Sequence, residues 1–158
     1  MAKTVSVTIP IEEIQVKNNE ALEDLVVRDI GKIEEGMSVV GRQIPVNHDK
    51  IVDLLCVDKN GQLVVFKLNV NQDDSMLFDG LTTFHEVECV KRLLKFFNKT
   101  SKINDKELPR LNLVAPSFSN NLKNITKNMN GVKINLYQWE YLKFGDKKSL
   151  RFKPVSLA

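Results

Sequence analysis

The stretch IVDLLCVDKNGQLVVFKLNV, Ile51 to Val70, limits what this chain can fold into more than any other part of it. Two apolar runs of strand type flank Asp58-Lys59-Asn60-Gly61. That tetrapeptide suits a type I turn followed by a glycine in the left-handed region, and so predicts a β-hairpin with a bulge. With Asp58 opposite Gln62, counting back along the strands places Asp53 opposite Lys67, with Cβ atoms about 5 Å apart. Side-chain alternation puts Asp53, Leu55 and Val57 on one face and Val52, Leu54 and Cys56 on the other. On the second strand Leu63, Val65, Lys67 and Asn69 share a face. Two polar residues on an otherwise apolar face must satisfy each other or serve a site, because an unpartnered buried charge is costly.

Around this hairpin the chain alternates strand and helix patterns. Val5 to Ile9 reads as a short strand closed by Pro10. Asn18 or Asn19 can cap a helix with apolar positions Leu22, Leu25, Val26, Ile30 and Ile33, stopped by Gly36, with Glu20, Glu23 and Asp24 in its first turns. The run SVVGRQIPV is β-rich, with Gly41 where a bulge would sit and Pro45 arguing for an edge. After the hairpin, Leu77, Leu81, Phe84, Val87, Leu94 and Phe97 mark a long helix ending near Asn98. Arg110 to Ala115 is a strand, and Ser119 caps a helix through Leu122, Ile125 and Met129. VKINLYQWEYLKF and the residues around Leu150 to Phe152 supply the last two strands. The expected architecture is α/β, a mixed β-sheet flanked by α-helices.

The 158 residues, 42% hydrophobic and 27% charged, suit one domain spanning 1–158. No apolar run reaches the roughly 18 residues of a membrane span, and MAKTVSVTIPIEEI lacks a signal pattern, so a cytoplasmic protein without membrane association is expected. Cys56 and Cys89 have no CxxC partner and read as buried thiols. A net charge of +3 permits nucleic acid binding without demanding it.

The segment GRQIPVNHDKIVDLLCVDKNGQLVVFKLNV resembles the core of the PD-(D/E)XK nuclease superfamily, most like its RecB-like, NucS-type small endonuclease domains. Those run as a glycine-arginine strand, a polar corner, an isoleucine-aspartate-leucine strand, a short Asp/Gly hairpin, and an apolar strand ending in Glu-x-Lys. LEDLVVRDIGKIEEGMSVVGR fits the preceding helix and LNLVAPSFSNNL the strand and helix that follow, so the likeness covers roughly Glu20 to Trp139. It implies a restriction-endonuclease-like core.

In such nucleases an Asp on the first strand and the Glu of Glu-x-Lys hold a divalent metal that positions water, while the Lys stabilises developing charge. The resemblance matches Asp53 to the first carboxylate and Glu23 to a helix carboxylate that some members use. Lys67 stands where the Glu belongs, Asn69 where the Lys belongs, and Asp79 is the nearest match to a Gln on the following helix. An ammonium at a metal-binding position repels hard cations and takes over as counter-ion to Asp53. The expectation is a catalytically degenerate nuclease-fold protein needing no cofactor, retaining nucleic acid binding or a role in assembly. The alternative is a divergent endodeoxyribonuclease that uses Mg²⁺ or Mn²⁺ on Asp53 with relocated partners.

DNA is the partner this resemblance implies, with Arg42 and Lys50 as phosphate contacts. The clusters Lys91-Arg92-Lys95, Lys99, Lys102 and Lys123, Lys127, Lys133 read as solvated helix faces that could extend such a surface. A homodimer or another protein could instead use the C-terminal strands, where Tyr137, Trp139 and Tyr141 alternate as core or interface aromatics. His85 and Cys89 lie four apart on a helix but lack a second zinc-spaced pair, so they read as a surface His and a buried Cys. His48 reads as a turn residue, and Glu23 by itself as a solvated carboxylate supporting the helix dipole.

Overall fold

The computed structural model describes residues 10–47 and 49–157. In chain order the elements are β1 (Ile11–Glu13), α1 (Asn19–Arg28), β2 (Ser38–Val46), β3 (Lys50–Val57), β4 (Leu63–Leu68), α2 (Ser75–Phe97), β5 (Arg110–Ala115), α3 (Asn120–Asn128), β6 (Ile134–Phe144) and β7 (Lys147–Pro154). The strands make one mixed seven-stranded sheet in the order β1-β6-β5-β4-β3-β2, with β7 also paired to β6. β4, β5 and β6 run parallel, and the remaining pairings are antiparallel.

Central position explains the sequence of the inner strands. LVVFKL and RLNLVA are covered on both faces, so they read as near-continuous apolar runs, and a parallel link between them needs a crossover, here α2. On one face Leu22 and Val26 of α1 pack with Leu54, Cys56, Val64, Phe66, Leu68 and Trp139. On the other, Met76, Leu77, Phe84 and Val87 of α2 and Leu122 of α3 pack with Leu55, Val57, Leu63, Val65, Leu111 and Leu113. The mixed sheet flanked by helices is the expected architecture.

Local signals account for most boundaries. Asn18 Oδ1 accepts from Ala21 N at 2.8 Å and starts α1; Ser119 Oγ accepts from Leu122 N at 3.0 Å and starts α3. β2 is an edge strand, which tolerates Pro45, and its register shifts between Val39 and Gly41 as the glycine suggested.

Four expectations are corrected or fall outside the described residues. α1 does not continue to Ile33: it ends at Arg28, and Ile30–Lys32 form a 3-10 turn. Val26-Val27 and Gly31 weaken α-helix propagation, while the tighter turn still packs Ile30 and Ile33 against the α1-side core, so the apolar period outlasts the helix. Gly36, with φ +82, therefore serves the entry to β2 rather than a helix stop. The strand expected at Val5 to Ile9, like His48, lies outside the described residues.

Candidate functional site

The hairpin forms with the predicted turn and register. Asp58 N donates to Gln62 O at 3.0 Å, Gly61 N to Asp58 O at 3.0 Å, and Gly61 has φ +88. The Asp58 side chain completes the loop, its Oδ1 accepting from Asn60 N and Gln62 N at 2.9 Å each. The ladder runs from Val57↔Leu63 to Leu54↔Phe66, and one step further Lys67 Nζ lies 3.6 Å from Asp53 Oδ2.

At that step the β3–β4 ladder stops, while the β2–β3 and β4–β5 ladders continue. Asp53 Oδ2 accepts from Leu68 N at 3.0 Å, so a side-chain oxygen satisfies a donor that the ladder leaves over. Side-chain alternation fails here as well. Val52 packs in the α2-side core with Leu55, and not with Leu54 and Cys56 as strict alternation requires. Asp53 lines a cleft with Leu68 and the α1 residues Asn19, Glu20 and Glu23.

The neighbouring strand is distorted at the same rung, though it stays paired on either side. Arg42 pairs with Leu54 and Ile44 with Val52, which sets Gln43 opposite Asp53. Gln43 has φ +47, a left-handed conformation unusual for a side chain without a short polar group. Its consequence is that consecutive residues reach one acceptor: Arg42 Nε donates to Glu23 Oε1 at 2.8 Å and Gln43 Nε2 to Glu23 Oε2 at 2.6 Å. A Cβ on Gly41 would lie 2.9 Å from Ile44 Cδ1, so any larger residue there would have to displace the Ile44 side chain.

Glu23 is therefore not a solvated carboxylate. It is 4% exposed, with both oxygens held, and Arg42 also pairs with Asp24 Oδ1. The sequence signal was its place between Leu22 and Val26 on the buried side of α1. Arg42, expected as a phosphate contact, is committed to these two carboxylates, whose hydrogen bonds hold its guanidinium still more firmly protonated. The cleft, about 550 Å³, is lined by Asn19, Glu20, Glu23, Arg42, Gln43, Asp53 and Leu68. Burial pushes the Asp53 carboxyl above its ordinary value of 3.8; the Leu68 N–H and then Lys67 counter this, and Glu23 adds to the rise.

The other expected site residues are scattered. Asn69 faces its own turn, Oδ1 accepting from Asn71 N at 2.9 Å, while its carbonyl accepts from Trp139 Nε1 at 3.0 Å. Lys50 begins β3 and does not line the cleft. Asp79 sits on α2, across the sheet from Glu23. Cys56 is buried, which drives its thiol up to about 12, but Cys89 is exposed on α2, its Sγ 3.7 Å from His85 Nε2. The expectation of a buried Cys89 fails because α2 is apolar on two faces and the sheet covers the other one. Trp139 is buried, with Tyr137 and Tyr141 packed around the same cluster. Lys91 and Lys95 pair with Glu88 and Asp105.

A hard divalent cation needs several free oxygen ligands. Both Glu23 oxygens are taken, Asp53 Oδ2 holds an N–H and faces an ammonium, and no cluster of three or more His, Cys, Asp or Glu among the described residues could hold a metal ion. The residues present do not fit Mg²⁺ or Mn²⁺. What the arrangement does supply is a neutralised cross-strand pair beside a polar cleft. No helix among the described residues is long and apolar enough to cross a membrane.

The sequence profile of the Endonuclease NucS C-terminal domain matches residues 18–138. The chain is similar to Endonuclease NucS of Pyrococcus furiosus, with 29% identity over 145 residues, 91% of this chain and 48% of the relative. It is similar to Endonuclease NucS of Pyrococcus abyssi at 30% identity over 115 residues, 72% of this chain and 40% of the relative. A crystal structure of a repair endonuclease from Pyrococcus abyssi aligns at TM-score 0.49 and 26% identity, covering 80% of this chain and 50% of that one. The chain spans about half or less of the length of these relatives. The chain belongs to the Endonuclease NucS C-terminal domain family, and with it to the PD-(D/E)XK nucleases of restriction-endonuclease-like fold.

Proposed function

We propose that this member of the NucS C-terminal domain family is a disarmed nuclease domain, one cytoplasmic unit over 1–158 whose metal-dependent cleavage is lost. The observation that carries the reading is the Lys67 ammonium 3.6 Å from Asp53 Oδ2, at the position where the nuclease motif places its second metal-binding carboxylate. A cation there neutralises Asp53 and repels the ion that would have generated the nucleophile. Asn69 lacks the charge that the motif's lysine would bring to the transition state. Glu23, the buried carboxylate of the cleft, already accepts from Arg42 on one oxygen and from Gln43 on the other, and Glu20 beside it is exposed. No cofactor is then required.

What remains is a scaffold for nucleic acid binding or for assembly with a partner. DNA is the expected ligand, and with Arg42, Lys91 and Lys95 engaged internally, Lys50 and the exposed Lys99, Lys102 and Lys127 would carry the phosphate contacts. Such contacts weaken steeply with salt.

The test is an endonuclease assay on single- and double-stranded DNA and on RNA, with Mg²⁺ or Mn²⁺, for wild type and Asp53→Ala. No cleavage above background by either protein is the expected result. Metal-dependent cleavage that disappears in Asp53→Ala would overturn the reading in favour of relocated catalytic groups.

A further inference from the structure

Asparagine precedes glycine twice in this chain, at Asn60-Gly61 and at Asn130-Gly131. Such a step carries chemistry of its own. Glycine has no side chain to shield its backbone nitrogen and gives the chain the most freedom to bend, so that nitrogen can reach the side-chain amide carbon of the asparagine before it. In a folded protein the reaction then depends on whether the glycine N–H is already held in a hydrogen bond and whether the backbone around it can move.

The first step is locked. Gly61 N donates to Asp58 O at 3.0 Å, and Asn60 N donates to Asp58 Oδ1 at 2.9 Å. Gly61 O accepts from Asn104 N at 2.7 Å, and a Cβ on Gly61 would lie 2.7 Å from Lys102 O, so a second loop is packed on the turn. Releasing the Gly61 nitrogen means opening the hairpin that sets the register of Lys67 and Asp53.

The second step is open. It lies between α3 and β6, and the chain on either side is anchored. Met129 N donates to Thr126 O at 3.3 Å, Met129 and Val132 pack on the α2-side core, and Lys133 O accepts from Leu111 N at 2.9 Å. Between these anchors Asn130 and Gly131 are both exposed. Gly131 N donates to no acceptor among the described residues, and a Cβ on Gly131 would meet nothing within 4 Å. The tip of this loop is therefore free to bend while its ends stay fixed.

We propose that Asn130 is a site of self-modification, at which the Asn130 side chain and the Gly131 nitrogen carry out deamidation with water as the only co-reactant. Gly131 N, having lost its proton to a solvent base, bonds to Asn130 Cγ. The Cγ–Nδ2 bond breaks, and Nδ2 takes up a proton and leaves as ammonia. Water then opens the cyclic imide. Cleavage between the imide nitrogen and Cγ gives aspartate, whereas cleavage between that nitrogen and the Asn130 main-chain carbon gives isoaspartate, with the backbone rerouted through Cβ and Cγ. Amide and water become carboxylate and ammonium, so no oxidant or metal enters. The new carboxylate falls between Lys127 and Lys133 in the sequence and lowers the net charge of +3 by one. None of this depends on whether the Asp53 cleft is catalytically silent.

Trypsin separates the two sites, because residues 60–67 and 128–133 are distinct products. The folded full chain is incubated in heavy-oxygen water at mildly alkaline pH, digested in ordinary water, and read by tandem mass spectrometry. The 128–133 peptide should gain a heavy-oxygen carboxylate at residue 130, while residue 60 should react at least about tenfold more slowly, since its nitrogen is freed only by local opening. In urea, where both loops are released, the two rates should converge. Asn130→Gln should abolish the acidic species that accumulates on cation exchange. Equal rates at the two sites in the folded chain overturn the proposal, as does an Asn130 that reacts in urea but stays intact in the folded chain. Label at Asn128 in place of Asn130 overturns it as well.

Discussion

Lys67 and Asp53 meet across the β3–β4 hairpin with Nζ 3.6 Å from Oδ2, one step beyond the last ladder pair, Leu54↔Phe66. Both side chains are about a fifth exposed, at 22% and 18%, so the pair is screened less than a surface salt bridge. It stands where a catalytic member of the superfamily would gather charge around a metal. Here the charge is cancelled inside the protein.

The first prediction concerns this pair. Lys67→Met should destabilise the fold by about 1–2 kcal/mol, because Asp53 is left buried without its cation. In a cycle with Asp53→Asn, followed by urea unfolding, the coupling should be on the order of 1 kcal/mol. A coupling of zero would make the contact incidental.

A second follows from the raised Asp53 carboxyl. Its folded-state value exceeds the ordinary 3.8, so the protonated form is favoured by folding. The stability Asp53 contributes is fully present below 3.8 and is lost as pH rises through the raised folded-state value. Relative to Asp53→Asn, wild type should lose stability across that window and then level off. Titration of the Asp53 carboxyl carbon by NMR checks the premise, and a midpoint below 3.8 would contradict it.

At Gln43 the usual order of substitutions should reverse. Both Gln43→Ala and Gln43→Gly lose the hydrogen bond to Glu23, but only glycine relieves the left-handed backbone, so Gln43→Gly should be the more stable by about 1 kcal/mol. Thermal unfolding of the two variants decides this. Glu23→Ala, which removes the acceptor from both Arg42 and Gln43, should cost about 3 kcal/mol.

Gly61→Ala should destabilise by about 2 kcal/mol or more. The position has φ +88, and a Cβ there would lie 2.7 Å from the Lys102 carbonyl oxygen, which is backbone and cannot swing away. Urea denaturation should show a lower midpoint with an unchanged slope.

The legible parts of this fold were those set by short-range chemistry. Asp58 to Gly61 specifies its turn, and the turn specifies the register that brings Lys67 to Asp53. Asn18 and Ser119 announce their helices by capping, and Gly41 and Pro45 announce an irregular edge. The illegible parts are those where regular periodicity ends. Counting by twos cannot foresee that Gln43 turns left-handed and Val52 changes face, because neither residue type demands it. Glu23 looked like a first-turn carboxylate since its partners, Arg42 and Gln43, come from another element 19 and 20 residues away. α2 carries apolar residues on two faces, so its pattern could not say which one meets the sheet, and Cys89 was placed on the wrong side.

The central claim is that the Asp53 site has exchanged a metal for a lysine, and calorimetric titration with Mn²⁺ tests it most directly. Wild type should give no binding heat, whereas the double variant Lys67→Glu with Asn69→Lys should bind, and should lose that binding when Asp53→Ala is added. Binding by wild type itself, abolished by Asp53→Ala, would contradict the account and show that the site still holds its ion.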